Sequence, residues 1–408
     1  MKKTLLLIIS TLFIANAFAQ NTITSVADGN ANNPFTWDCT CWPAPGDNVT
    51  INHNVTMNVD WIIGAGGSIT VGANGSFIED ANHRAILVDD NGSSFVNHGV
   101  TDLTGISFTN GAIGINNGYF DLDSGMIVAQ NSVFDNNGEI HSLDSLWVTG
   151  TFNNNGGSFL GDGDILAQGQ FTNNGSIITD SLVNTGVFNN ASVGVIYATE
   201  FGNLLNSSEF NNMGHLNVGI NFYNTGVFDN RVSGNVNVIN DFYTGDSLVA
   251  TSELIADGTI LVGNDFWNNK VVGGSGKICV SNGTNNFGTF NGTIDFCDNT
   301  GSGFDINLGT VAGTITFCNS NCFVGLEEEE ENVEITLYPN PITDNAIITV
   351  DNSQQYNLKV FNGMGALVLD KNFTNSIELN RNNFTSGMYF YTISNENKSV
   401  KTDKFIVK

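Results

Sequence analysis

The sequence predicts an all-β protein: a parallel β-helix, or solenoid, through the middle of the chain, followed by a separate small β domain. Three observations carry this. A Phe-x-Asn-x-Gly motif returns at near-constant spacing, the residues around it are poor helix formers, and both charge and pattern change near residue 330.

The motif reads Phe95-Asn97-Gly99, Phe134-Asn136-Gly138, Phe152-Asn154-Gly156, Phe171-Asn173-Gly175 and Phe210-Asn212-Gly214, with Phe188-Asn190 and Phe228-Asn230 lacking the glycine. From Phe134 onward, successive phenylalanines lie 18, 19, 17, 22 and 18 residues apart, a period that marks stacked structural units. A second ladder, Leu182-Asn184-Gly186, Leu204-Asn206 and Phe222-Asn224-Gly226, runs six residues upstream and takes the same steps of 22 and 18. Two motifs that keep their offset while the repeat length changes lie on neighbouring faces of one coil, and a loop elsewhere absorbs the variation.

Asn, Gly, Thr and Ser compete for backbone hydrogen bonds or raise the entropic cost of a helix. Short alternations such as Val236-Asn237-Val238 therefore read as strands of three to five residues with Phe and Leu inward. The Asn-x-Gly step suits a corner because glycine reaches positive φ without a clash and Asn tolerates it. Stacked Asn side chains are expected to bond one another along the axis. With about 20 residues per turn, residues 65–321 hold roughly 13 rungs, a rod of about 60 Å at ~4.8 Å per rung. Its ends need caps.

At the start of the coil stand Trp37, Trp42, Pro43 and Pro45, then Gly46-Asp47-Asn48-Val49-Thr50-Ile51. They resemble the opening segment of bacterial right-handed parallel β-helix proteins, so residues 20–64 are read as the N-terminal cap and first strands. Before them, Lys2 and Lys3, the apolar run Leu5 to Ile14 and Ala17-Phe18-Ala19 make residues 1–19 a signal peptide cut between Ala19 and Gln20. The apolar run is shorter than the ~20 residues a transmembrane helix needs.

From Asn21 to Leu326 there are 28 acidic residues against Arg84, Arg231, Lys270 and Lys277, a net of about −24, whereas from Asn332 to the C-terminus the count is 7 against 7. Such an acidic middle argues against nucleic acid as a partner, since that binding needs a clustered basic surface. Five consecutive glutamates, Glu327 to Glu331, repel one another, and residues 322–332 are read as a linker. With a secretory signal, an even cysteine count favours disulfides. Cys279 with Cys297 across neighbouring repeats and Cys318 with Cys322 around a short loop are the expected pairs; Cys39 and Cys41 make up the six. No C-x-x-C pair or His at ligand spacing points to zinc.

Residues 333–408 alternate aliphatic and polar residues without the Asn-Gly ladder. They carry Leu337-Tyr338-Pro339-Asn340-Pro341, then Leu358-x-Val360-Phe361-Asn362-Gly363-Met364-Gly365, Ile377-x-Leu379, Ser386-Gly387-Met388-Tyr389 and Lys404-Phe405-Ile406-Val407-Lys408. In order and spacing this resembles the type A C-terminal sorting domain of the type IX (Por) secretion system. The resemblance implies a small immunoglobulin-like antiparallel β-sandwich. It implies passage through the outer membrane by the type IX translocon, removal by its sorting peptidase, and release or attachment to surface lipopolysaccharide. Tyr338, Pro339, Asn340, Pro341, Gly363, Gly365, Gly387, Tyr389 and Lys404 are the motif positions, and the expected location is outside the cell or on the outer-membrane surface.

Chemistry in the middle is hard to find, and no catalytic residue, metal or cofactor is assigned. Asp89-Asp90 followed by Asn97-His98-Gly99 is similar to a polygalacturonase pattern, but the spacing is too short and the family's basic motif is missing. Lyase bases are confined to the four isolated cations. Gly161-Asp162-Gly163-Asp164 offers oxygen donors for calcium but reads as a polar turn. Asp144-Ser145-Leu146 and its repeats at Asp180 and Asp246 resemble O-glycosylation acceptors, and turn chemistry before an inward Leu explains them equally well. Among Trp61, Trp147, Tyr197, Tyr223, Tyr243 and Trp267, the tyrosines 223 and 243 follow inward phenylalanines and so turn outward, making them the preferred sugar contacts. The expected function is a non-enzymatic adhesive or carbohydrate-contacting rod. A polysaccharide lyase or hydrolase and a structural surface-layer component are the alternatives.

Overall fold

The structure, a computed structural model, describes residues 20–199, 201–246, 252–301, 303–317, 335–350, 354–362, 366–395 and 398–408. The signal peptide with Ala19, the Cys318–Cys322 pair, the glutamate run, and Gly363 and Gly365 lie outside them. The chain divides into two compact units between Cys322 and Phe323. Among the described residues there is no α-helix, and no helix long and apolar enough to cross a membrane.

The first unit is the solenoid. Each turn lays one strand in each of three parallel sheets of 15, 15 and 13 strands, and every strand but the end ones pairs with its equivalents in the turns before and after. The register is in phase: Phe134 faces Phe152, which faces Phe171, Phe188, Phe210 and Phe228 in turn. In most strands two residues point inward and their neighbours outward, so the core is a stack of fully buried Phe, Ile, Leu and Val. Phe171 and Phe188 stack with centroids 4.6 Å apart and planes 9° apart.

The motif asparagines are buried at the corner between the first and second sheets. Asn136 Nδ2 donates to Asn154 Oδ1 at 2.9 Å and to the Ser158 carbonyl at 3.1 Å. Asn154 donates to Asn173 at 2.8 Å, and Asn173 to Asn190 at 2.9 Å. The chain of amides runs unbroken from Asn97 to Asn230. The upstream motif builds a second ladder, Asn184 to Asn206 to Asn224, at the corner between the third and first sheets. The expected axial ladder is therefore present twice.

The glycines of the motif need correction. Gly99, Gly138, Gly175 and Gly214 do not adopt positive φ; of the motif glycines beside the long ladder, only Gly156 does. Their reason is proximity: a Cβ on Gly138 would sit 2.2 Å from the Gly118 carbonyl oxygen of the preceding turn, and one on Gly175 2.1 Å from that of Gly157. The corners stack too closely for any side chain.

The start of the solenoid packs tryptophan against the first turns. Trp37 is fully buried, donates from Nε1 to the Ala31 carbonyl at 2.9 Å, and meets Trp61 edge-on at 6.1 Å. The Asp47 carboxylate accepts from Asn21 N at 3.1 Å and Ala44 N at 2.7 Å. Trp42 is exposed, and Cys39 and Cys41 are joined in a disulfide. Near the far end, Cys279 and Cys297 are buried register partners on neighbouring strands; no described cysteine is a free thiol.

The second unit has seven antiparallel strands. Three (Ile335–Tyr338, Asn345–Val350, Ser376–Asn380) and four (Gln355–Asn362, Leu367–Thr374, Gly387–Asn395, Lys398–Val407) meet in the strand ladder, among the described residues, at the Thr374–Ser376 pair, and both groups feed one core. Asn340 gives the Pro-Asn-Pro step a local role: its Oδ1 accepts from Ile406 N at 2.9 Å and its Nδ2 donates to the Lys404 carbonyl at 3.2 Å, pinning the last strand. The peptide bonds before Pro339 and Pro341 are cis. Tyr389 is buried, and its hydroxyl donates to the Thr385 carbonyl at 3.1 Å. Gly387, Tyr338 and Lys404 are exposed.

Replacing Asn154 by Ala removes an acceptor from Asn136 and a donor from Asn173 in a buried chain, a loss of about 2–3 kcal/mol. In guanidinium unfolding of the full chain, Asn154→Ala is expected to lower the solenoid midpoint clearly. Asn153→Ala, which removes only the surface bond to Asp135, is expected to stay within about 0.5 kcal/mol of the parent.

Candidate functional site

Most core positions are filled by apolar side chains, so most chemical individuality lies at the outward positions. Three groups of these stand out.

The first is the row expected from the sequence. Tyr223, Tyr243 and Trp267 are register partners on the third sheet and point outward, whereas Trp61 belongs to the core. Their rings stack on one another: Tyr223 on Tyr243 at 5.0 Å and 7°, Tyr243 on Trp267 at 6.2 Å and 17°, Trp267 on Phe287 at 6.1 Å and 14°. The Tyr243 hydroxyl donates to Asp241 Oδ2 at 2.9 Å, and burial, then that bond, pushes its phenol up to about 12. Tyr223 accepts from Asn221 Nδ2 at 3.0 Å. The outward direction is as expected, but the ring faces are turned to each other and the row offers edges and hydroxyls. Trp147, on the same outer row, is 47% exposed and has no ring in contact.

The second group lies on the outer face of the second sheet. Tyr197, Asn217, Asn237 and Leu261 succeed one another in register, flanked by Val195, His215, Asn235 and Thr259. A shallow cavity of about 130 Å³ is lined by His215, Asn217, Asn235, Asn237, Thr259 and Leu261. Among the described residues the Asn217 and Asn237 side chains make no hydrogen bond, unlike the ladder amides Asn190, Asn212 and Asn230 at the corner. Tyr197 is 47% exposed and has no aromatic neighbour. An open ring beside paired amide donors and acceptors is suited to a ligand with an apolar face and a rim of hydroxyls.

The third group is a quartet earlier on that face. Tyr119 donates to Asp121 Oδ2 at 3.1 Å, His141 Nε2 meets Glu139 Oε1 at 2.8 Å, and the Tyr119 and His141 rings are 5.2 Å apart. Burial, then the Asp121 carboxylate, pushes the Tyr119 phenol up to about 12, so it is a proton donor rather than a base. In the neighbouring turn Asp102 is raised above its usual range by burial, then by Asp121, Asp123 and Glu79.

The remaining sequence signals separate. Asn97 is a buried ladder member, while Asp89 accepts from Thr109 Oγ1 and Asn110 Nδ2 in a turn and is held below its usual range by those bonds, Thr109 first. Arg84 pairs with Asp80 at 3.0 Å and Arg231 with Asp229 at 2.9 Å. Asp162, Gly163 and Asp164 follow the strand Ser158–Gly161 in a bend and join no cluster of three ligand groups among the described residues. The amide pair and the quartet were missed because Asn reads as corner chemistry everywhere in this sequence. The equal steps of 20 from Tyr197 to Asn217 to Asn237 were the available signal.

Residues 336–408 match the family model of the secretion system C-terminal sorting domain. The terminal unit is a type IX sorting domain. It marks the chain for secretion to the cell surface or beyond, and so for interaction with the type IX machinery. The chain is also 33% identical over 82 residues to an ulvan lyase of Nonlabens ulvanivorans. That match takes in 20% of this chain and 15% of the lyase, so the chain spans only a small part of that relative.

Because the fold raises the Asp102 carboxyl above 3.8, Asp102 supports folding most when protonated, below that value, and loses this as pH rises through its raised value. Asp102→Asn is therefore expected to raise stability slightly at pH 7, by less than about 1 kcal/mol after solvent screening and seen as a small rise in melting temperature, and to leave it unchanged at about pH 3. Paired melts at the two pH values check this.

Proposed function

We propose that this protein is a secreted or surface-displayed β-solenoid rod that binds neutral carbohydrate, without cleaving it, on the outer face of its second sheet. The observation that supports this reading is the exposed Tyr197 ring in register with the two unpartnered amides Asn217 and Asn237. An aromatic face receives the apolar side of a pyranose, and amides supply the donors and acceptors its hydroxyls need. The acidic first unit favours an uncharged glycan over an acidic one. The sorting domain brings the rod to the surface, where removal by the sorting peptidase would leave it released or attached to lipopolysaccharide.

A second reading, a polysaccharide lyase, draws on the partial match to an ulvan lyase and on the quartet. His141 with Glu139 as its orienting partner would take the proton, and the high-pKa Tyr119 would donate one to the leaving oxygen.

A glycan array together with a polysaccharide-depolymerisation screen on the full chain separates the two. Saturable binding without new chain ends, weakened about tenfold by Tyr197→Ala and little by Tyr223→Ala, is expected. Release of unsaturated ends that stops in His141→Gln would replace the binding reading by the lyase one.

A further inference from the structure

One corner of the solenoid brings together a histidine and two carboxylates from separate turns. Glu79 ends the strand Ser76–Glu79, His83 lies in the following turn, and Asp123 follows the strand Tyr119–Leu122 two turns on. By register Glu79 continues a column whose next members are the core residues Leu103 and Leu122, so a carboxylate stands where an aliphatic side chain belongs. Its side chain is only 9% exposed. Oε2 is held by three donors: Thr104 N and Thr104 Oγ1, each at 2.7 Å, and the Arg84 backbone N–H. Oε1 accepts no hydrogen bond among the described residues and is aimed at the turn.

Toward that oxygen points His83 Nδ1 at 3.6 Å, and the same nitrogen lies 3.9 Å from Asp123 Oδ2. Both separations are too long for hydrogen bonds. Two ligands bound to one cation at ~2.0–2.2 Å, with angles between tetrahedral and trigonal, stand about 3.3–3.8 Å apart; the His83–Glu79 separation falls inside that range, and the His83–Asp123 separation is 0.1 Å beyond it, a gap that a small turn of the exposed imidazole closes. All three ligand atoms lie within 4.8 Å of one another. His83 and Asp123 are 72% and 45% exposed, so the mouth is open to solvent while the base is anchored. Arg84, beside this corner, is paired with Asp80 at 3.0 Å.

We propose that Glu79, His83 and Asp123 form a binding site for one divalent transition-metal cation of the Zn²⁺ class. An imidazole nitrogen among the ligands selects such ions over Ca²⁺ and Mg²⁺, which prefer oxygen alone. Three protein ligands leave the solvent side for water or for an oxygen of a bound ligand. The cation also offsets the repulsion among Glu79, Asp102, Asp121 and Asp123, and it adds a side-chain link across two turns beside the strand pairing and the Thr104 bonds to Glu79.

Zn²⁺ titration into the untagged, chelator-treated full chain, followed by calorimetry and by melting temperature, tests this. One saturating site per chain is expected, with a rise in melting temperature that a chelator reverses. His83→Gln and Asp123→Asn, both at exposed positions that leave the fold intact, are each expected to weaken binding at least tenfold. His141→Gln, in the quartet, is expected to leave it unchanged. Binding that survives His83→Gln, binding lost in His141→Gln, or Ca²⁺ displacing Zn²⁺ at equal concentration would each overturn the assignment.

Discussion

The ladder asparagines are buried where one turn stacks on the next, and a buried amide or carbonyl without a partner costs about 1–3 kcal/mol. The asparagine ladders meet that constraint. Each side chain accepts from the turn before, donates to the turn after, and in several rungs also closes its own corner, as Asn97 Oδ1 does with Gly99 N at 3.1 Å. An apolar residue there would leave backbone carbonyls such as Ser158 O with one partner fewer, and a charged one could not be repeated at strand spacing. Glycine beside it follows from the same closeness, since the carbonyl of the preceding turn already occupies the place of a Cβ.

With corners and core fixed by stacking, the outer positions are released from structural duty. The stacked Tyr223–Tyr243–Trp267 row shows one use of that freedom, in which side chains of successive turns satisfy each other. The row from Tyr197 to Asn237 shows the opposite, where amides of the same type as the ladder stand outside it and remain uncommitted. The quartet of Tyr119, Asp121, Glu139 and His141 lies between these extremes, with each polar group paired but open to solvent.

Much of the architecture was legible because a solenoid writes its period directly into the sequence. Phe134, Phe152 and Phe171 could be aligned by eye, and their spacing alone placed them on one sheet. The sorting domain was legible for a different reason: Tyr338-Pro339-Asn340-Pro341 and the final strand are held together by Asn340, so the motif and the contact are the same residues. The sites were not legible. Glu79 and Asp123 are far apart in sequence, and whether they meet depends on the turn lengths between them. The glycine role was misjudged because a single residue's φ can be guessed from its type, whereas the distance to the next turn's carbonyl cannot.

The in-phase register has a further consequence. A substitution at one outward position changes a single point, but a residue type that recurs once per turn becomes a line of identical groups about 4.8 Å apart. The coil therefore acts as a ruler, on which sequence period is translated into pitch along the surface. Lengthening a loop in any one turn leaves the graduation untouched, and duplicating a turn extends the scale by one mark. A surface of this kind can be matched to a repeating polymer by counting turns, without redesigning any of them.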